Sequence, residues 1–572
     1  MVSRLNLTRD SKVLDPCTGS GHFLAELYER LADLYRAEGY SDEDAYREIV
    51  GKQLYGGDID TFATSLAAIR LFLLDERSTG VTPQLYVHDM LLHSPERPQE
   101  ELFSREPERA VIVDPEVDEI APIDEIAFDA VVGNPPYGAR KPEYKMRIYR
   151  ELYGSDAKSL HAGSIGTGDH DTYGMFLANG IERLAEGGRL CLITNDSFRS
   201  LTTYARLRRY ILDRCKIVEI LLTDTKHFEG VSFQFAGMAI TTLEKCSDAE
   251  ARKANVMRLI DYVREPQDFW GPPAAKVSEL RQEEYEALPE TPFFVGVPRE
   301  VFEAVKASGR VADVARGRQG LITADDKRFL AGIDSPFPGL TQVVSRTELA
   351  AVVTPDERRE GIPSNKPHWI PFAKGEGFGE YWRWPQVAID WSEESVRELR
   401  RRDSLPQGTS RKPRFQNRDF YFRSGLTYSV VSSGRLSVRL MPEGWIFSDK
   451  GSGVFVEDPA THEFFLLGYL NSALATFLMK KVVNTTATAH LGYIEKLPYR
   501  RPGKDGGVAV ASRVEQIVDS LKADPGADVE RLRDEIDDLI FDLFEIRSSR
   551  DEVRRFYRTV GRVEQPDQAA SE

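Results

Sequence analysis

Cysteine is scarce in this chain: 572 residues contain four, at positions 17, 191, 215 and 246, and none form a Cys-x-x-Cys pair. That argues against a disulfide framework or a structural zinc, and fits a reducing cytoplasm. No uninterrupted apolar run approaches the roughly 18 residues of a transmembrane helix. The first ten residues lack the apolar stretch of a secretory signal, so a cytoplasmic location is expected. Internal repeats, low-complexity tracts and a Gly-x-x-x-x-Gly-Lys-Ser/Thr loop are also missing, which excludes a solenoid and an ATP motor. No nuclease motif is evident. What is there is 41% hydrophobic, 29% charged and 10% aromatic. Such a composition builds large cores and excludes a mostly disordered chain, and the length suggests roughly three or four domains.

The formal net charge of −16 argues at first sight against nucleic acid. Regions differ, however. Residues 291–500 hold 29 Lys+Arg against 24 Asp+Glu. Within 397–423 there are nine basic residues and three acidic ones, with Phe415, Phe420, Tyr421 and Phe422 among them. Basic side chains interleaved with aromatics suit a phosphate-tracking surface; a solvated loop beside a strand is the equal alternative.

Over the first 245 residues, short apolar strands alternate with amphipathic helices. Segments 12–15, 53–58, 84–89, 128–133, 189–194 and 216–222 read as strands, and 21–36 and 62–74 as helices. The alternation implies a parallel sheet covered on both faces, with a late, antiparallel strand near 237–244. Segment 97–126 reads as a surface insertion and 154–170 as a loop. Between 248 and 300, Pro clusters flank text that reads as polar helix, and a boundary is placed near 290. Residues up to about 500 read as irregular with short strands, 512–560 as helical, and the tail after Arg562 as frayed.

Three motifs carry chemistry. Leu14-Asp15-Pro16-Cys17-Thr18-Gly19-Ser20-Gly21-His22-Phe23 is a strand ending in a glycine turn that opens a helix. Such a turn lets a ligand approach the backbone and offers it helix N-terminal N–H groups, as adenosine cofactors require; a mere tight connection is the alternative. Gly56-Gly57-Asp58-Ile59-Asp60 ends a second strand with carboxylates able to accept ribose hydroxyls, although capping the next helix explains Asp58 or Asp60 as well. The third, Asn134-Pro135-Pro136-Tyr137, follows the strand at 128–133. By chance it arises in roughly one chain of this length in several hundred. Two prolines stiffen the turn and remove two N–H donors, leaving oxygens to face a ligand. An amide oxygen and a carbonyl together accept both hydrogens of an exocyclic amine, and Tyr137 can stack on a planar base.

In this order, Asp15–Phe23, Asp58, Asp89 and Asn134–Tyr137 resemble the gamma-class N6-adenine DNA methyltransferases, including the phage-growth-limitation, BREX-type and type IIG enzymes. The resemblance implies a Rossmann-like class I methyltransferase α/β fold with a mostly parallel sheet. A mixed α/β target-recognition domain and C-terminal helices would follow. The implied parts are a methyltransferase domain at 1–247, a connector at 248–290, recognition at 291–505 and a helical segment with tail at 506–572. The cofactor would be S-adenosyl-L-methionine, held by Asp15, Pro16, Gly19, Gly21, Phe23, Asp58, Asp60, Asp89 and Asn134. Catalysis would use Asn134, Pro135, Pro136 and Tyr137, with Phe228, from a block that also contains Phe233 and Phe235, against the target adenine. Asp171–Phe176 and Gly187–Phe198 match further family blocks.

Past residue 300, Arg316–Thr323, Lys374–Trp382, Asn417–Phe422 and Phe447–Ser452 are similar to recognition-domain segments. Double-stranded DNA is therefore the expected partner, with Arg316, Arg318, Arg411, Lys412, Arg414, Arg418 and Arg423 as contacts. Only 14 residues precede Asp15 where the family carries many, so a partner subunit is expected to complete the methyltransferase, within a restriction-modification or phage-defence system. Two other readings are a protein glutamine N-methyltransferase, which would share the Asn-Pro-Pro-Tyr chemistry, and a non-catalytic DNA-binding sensor.

Overall fold

The computed structural model describes residues 1–75, 80–92, 108–109, 123–137, 153, 171–223, 237–286, 288, 290–375, 377–405, 412–429, 434–483 and 491–560. Two compact units divide at Gly296 and Val297. The expectations for Phe228, Phe233, Phe235 and Arg411, for the loop at 154–170 and for most of 97–126 fall outside the described residues.

The first unit is built on one ten-stranded sheet. Its strands are β1 (Val13–Asp15), β2 (Leu54–Asp58), β3 (Gln84–Val87), β4 (Glu108–Arg109), β5 (Phe128–Gly133), β6 (Leu184–Asn195), β7 (Cys215–Thr223), β8 (Met238–Lys245), β9 (Val256–Val263) and β10 (Val277–Arg281). Their spatial order is β10-β9-β7-β8-β6-β5-β1-β2-β3-β4. From β3 through β2, β1 and β5 to β6 every pairing is parallel, and β8 runs antiparallel to both β6 and β7. This is the mostly parallel α/β sheet expected from the alternating text.

The segment expected to be polar helix, 248–300, instead supplies β9 and β10. The signal was the alternation at its start: Met257 and Leu259 are buried while Val256 and Arg258 face out. Such a period of two is a strand pattern, and β7 provides a free edge for it to pair with.

β1 lies centrally, and Val13 and Leu14 are fully buried in it. Helix His22–Ala37 covers β1 and β2 through Leu24, Leu27, Tyr28, Leu31, Ala32 and Tyr35, spaced three and four apart on one face. Helix Thr61–Phe72 buries Thr64, Ala67 and Leu71. It packs at Gly21, where a Cβ would come within 2.9 Å of the Ala67 Cβ. Helix Thr172–Arg183 is buried almost throughout, and Gly180 lets it close on Leu190 of β6.

The second unit carries a four-stranded and a five-stranded sheet where the sequence read as largely irregular. Among the short strands expected in this region, Gly425–Tyr428 and Val438–Met441 pair antiparallel. Helices Lys504–Ala523, Glu530–Leu543 and Arg550–Val560 follow. In the second of these, Arg533 and Asp537 are buried beside Ile536 and Ile540. Arg533 pairs with buried Glu380 and donates to the Tyr557 hydroxyl. Among the described residues no helix is long and apolar enough to cross a membrane.

Candidate active site and basic surface

Parallel pairing brings the carboxyl ends of β1, β2, β3, β5 and β6 to one edge of the sheet, where ligands of open α/β sheets bind. After Asp15 the chain turns sharply. Gly19 (φ 52°) and Gly21 (φ 79°) take left-handed conformations that side chains resist. The turn is tied down at both ends. The Thr18 hydroxyl donates to the Asp15 carbonyl (2.9 Å), and the Thr18 N–H donates to the Gly57 carbonyl (3.0 Å). The space where a Gly19 Cβ would stand is empty to 4 Å.

Asp58 stitches the first two motifs together. Its Oδ2 accepts from the Gly19 N–H (2.8 Å) and its Oδ1 from the Asp60 N–H (2.9 Å). Each oxygen keeps one lone pair for a further donor. Asp60 caps helix Thr61–Phe72 by accepting from the Phe62 N–H at 2.9 Å. The capping alternative therefore describes what the Asp60 carboxylate does, while Asp58 remains the acid at the strand end. Asp89, just past β3, accepts from the Leu91 N–H at 3.3 Å. Phe23 is half-buried against the core beneath the turn.

Asp15 is fully buried, and its Oδ2 has no hydrogen-bond partner among the described residues. Oδ1 accepts from the Cys17 N–H at 3.1 Å. Burial, opposed by that hydrogen bond and assisted by the nearby Asp58 charge, pushes the Asp15 carboxyl up to about 7. Burial also pushes the Cys17 thiol up.

The Asn-Pro-Pro-Tyr turn leaves β5 directly beside this loop. A Cβ on Gly133 would lie 2.8 Å from Cys17 Sγ and 3.0 Å from Asp15 Oδ1. Pro16 is also close, its Cδ 3.5 Å from that position. Asn134 and Pro136 are exposed, Pro135 is buried and Tyr137 is half-buried. The Tyr137 hydroxyl reaches both Asn134 Oδ1 and the Ile193 carbonyl, the latter at 2.8 Å. Burial raises the Tyr137 phenol, which keeps it protonated as a donor. The buried Thr172 hydroxyl donates to the Pro136 carbonyl at 3.1 Å. Thr172 and Ile193 lie in the blocks Asp171–Phe176 and Gly187–Phe198, but nothing in the local sequence links either residue to the turn.

In the second unit the basic residues separate into tied and untied groups. Arg318 pairs with Glu457 at 2.7 Å and lies over the Phe420 ring. Arg418 pairs with Asp403 at 3.0 Å and lies over Phe415. Arg316 is 3.8 Å from Glu495, and Lys412 donates to the Leu405 carbonyl. Arg400 and Arg402 are likewise neutralised, by Glu360 and by Asp325 with Glu398. Arg414 and Arg423 are exposed without an acidic partner among the described residues, and Arg423 lies over Phe420. Tyr421 and Phe422, read as interleaved surface aromatics, are instead buried and pack edge-on against Trp391.

Comparison with known proteins agrees with this geometry. Residues 52–228 match the Eco57I restriction-modification methylase family model. The chain is 21% identical over 576 residues to an adenine-specific methyltransferase PglX of Lacticaseibacillus casei (strain Zhang), covering 89% of this chain and 45% of that protein. It is 22% identical to an adenine-specific methyltransferase BrxX of Escherichia coli O9:H4 (strain HS), covering 85% and 44%. The chain thus spans less than half the length of these relatives. A similar fold occurs in the DNA complex of the type IIL restriction-modification enzyme MmeI, with a TM-score of 0.57 at 13% identity over 97% of this chain and 74% of that one. Residues 52–228 are thus similar to the Eco57I restriction-modification methylase family, in a chain that resembles the PglX and BrxX adenine-specific methyltransferases along most of its length.

Proposed function

We propose that the chain methylates the exocyclic N6 of adenine in double-stranded DNA, using S-adenosyl-L-methionine, as part of a restriction-modification or phage-defence system. The observation that carries this is the juxtaposition of the two turns: Gly133, from which Asn134–Tyr137 leaves β5, packs so tightly on the glycine loop that an added Cβ would lie 2.8 Å from Cys17 Sγ and 3.0 Å from Asp15 Oδ1. Three features of that loop fit the cofactor. There is open space at Gly19, Asp15 Oδ2 lacks a donor, and the Asp58 oxygens keep unused lone pairs. Asp15, Gly19, Gly21 and Asp58 would hold it, with Asp89 toward its adenine amine. When bound, the cofactor supplies a sulfonium methyl: a nitrogen–carbon bond forms, the carbon–sulfur pair stays on sulfur, and the nitrogen releases one proton to water.

The chain's own contribution is alignment. Asn134 Oδ1 and the Pro135 carbonyl, which has no hydrogen-bond partner among the described residues, would accept the two amine hydrogens. Holding them there favours a pyramidal nitrogen whose lone pair points out of the ring plane, without acid–base catalysis. A base inside a duplex cannot reach such an edge, so the adenine must flip out. Arg414 and Arg423, with Arg316, Arg318, Lys412 and Arg418 around them, would track phosphates.

The test is label transfer from methyl-tritiated S-adenosyl-L-methionine, with Asn134→Ala as control. Label in DNA that disappears in the variant supports the reading. Label in protein instead would point to a glutamine side-chain amide as the acceptor. DNA binding with no label at all would leave a sensor.

A further inference from the structure

Asn134 Oδ1 and the Pro135 carbonyl can receive the target amine together only if the turn that carries them keeps one conformation. A turn free to shift would let the amine settle in an unproductive pose. The buried hydroxyl of Thr172 supplies an anchor, donating to the Pro136 carbonyl at 3.1 Å. It belongs to the first residue of helix Thr172–Arg183, which follows Asp171 and is buried against β5 and β6. That hydroxyl has one proton, and its nearest acceptor is the Pro136 carbonyl at 3.1 Å, ahead of Asp171 Oδ1 at 3.5 Å.

Tyr137, from the same turn, acts from the other side. Its hydroxyl donates to Asn134 Oδ1 or to the Ile193 carbonyl. Only the oxygen of the Asn134 amide can accept, so this contact favours the amide flip that presents Oδ1. With two prolines limiting the backbone, the anchor at Pro136 fixes the remaining freedom of the turn. We propose that Thr172 is a positioning residue for methyl transfer, anchoring the Pro136 carbonyl so that the turn holds Asn134 Oδ1 and the Pro135 carbonyl in the pose that receives the amine; this rests on the function proposed above.

The experiment pairs a spectroscopic readout with kinetics on the full chain. The nitrogen of Tyr137 is bonded to the Pro136 carbonyl carbon, so its 15N shift reports a hydrogen bond at that oxygen directly. Labelling proline at 13C-carbonyl and tyrosine at 15N selects two peptide bonds, Pro136–Tyr137 and Pro498–Tyr499, and Tyr499→Phe identifies the second. Thr172→Val should move the Tyr137 signal and Thr172→Ser should return it. With plasmid DNA from a host lacking adenine methylation, Thr172→Val should lower kcat by about ten- to a hundredfold, the scale of small misplacements. KM for DNA, the Kd for S-adenosyl-L-methionine and the melting temperature should stay near their original values, and Thr172→Ser should recover most of the rate. An unmoved Tyr137 signal overturns the inference. So does unchanged kcat in Thr172→Val where Asn134→Ala abolishes transfer, which leaves the functional reading intact. No transfer to DNA by the unaltered chain overturns that reading, and the positioning role with it.

Discussion

Gly133 and Cys17 approach so closely that a single methyl group cannot be placed between them: a Cβ at Gly133 would lie 2.8 Å from the Cys17 sulfur. The contact joins the last residue of β5 to the glycine turn after β1. Gly133→Ala is therefore expected to destabilise the first unit by about 1–3 kcal/mol, the usual cost of overpacking, and to displace Asn134. Cys17→Ala in the same chain should recover much of that stability by removing the sulfur. Thermal unfolding of the two variants checks it; a Gly133→Ala chain as stable as the original would show that the contact relaxes freely.

Asp15 makes stability depend on pH with a definite sign. Its carboxyl titrates near 7 when folded and near the ordinary 3.8 when unfolded. The folded state thus binds more protons between about pH 4 and 7, and this group's contribution becomes steadily less favourable as pH rises through that window. Above 7 the full cost of the buried charge is present; below about 4 it vanishes. Asp15→Asn should accordingly be more stable than the original chain at pH 8, with the gap closing toward pH 5, while its affinity for S-adenosyl-L-methionine falls. Urea titrations at the two pH values decide it. A gap that widens on acidification would reverse the assignment.

Asp58 holds two backbone N–H groups, those of Gly19 and Asp60, with its two oxygens. Asparagine offers one acceptor in place of two, so Asp58→Asn must leave one of these donors unpaired or met by an amide N–H. A charge-assisted hydrogen bond of this kind is worth about 1.5–3 kcal/mol. The expected loss of cofactor affinity is therefore about tenfold to a hundredfold, read by calorimetric titration, with Asp58→Ala at least as severe.

Arg414 and Arg423 should differ in kind from Arg402. Reversing either exposed residue to Glu is expected to weaken DNA binding and to reduce the slope of log affinity against log salt by about one. Arg402→Ala removes pairs to Asp325 and Glu398. It should lower the melting temperature of the second unit and leave the salt slope unchanged. Fluorescence anisotropy across a salt series, alongside melting curves, separates the two behaviours.

β1 to β3 and β5 to β8 were legible because each holds a short apolar run bounded by glycine, proline or charge, whereas β4, only Glu108 and Arg109, lies in the segment read as a surface insertion. The antiparallel sense of β8 was anticipated as well. β9 and β10 were hidden by the proline clusters around them, even though Met257 and Leu259 alternate with outward-facing neighbours. At the candidate site, the glycine turn, Asp58 and Asn134–Tyr137 could be read because their residue types limit what the backbone can do. Thr172 and Ile193 could not, since their role depends on where a helix and a strand over 30 residues away come to rest. Charge counting near residue 400 likewise missed the acids at 325, 360 and 457, whose partnership with arginines exists only in three dimensions.

The reversed direction of β8 carries a practical consequence. Met238 pairs with Asn195 on one side and Thr223 on the other, so the backbone departs from the sheet and rejoins it at adjacent rungs. A slip of β8 by one residue would therefore break two ladders at once and carry each of its side chains to the opposite face, so this single strand fixes the registers of β6 and β7 together.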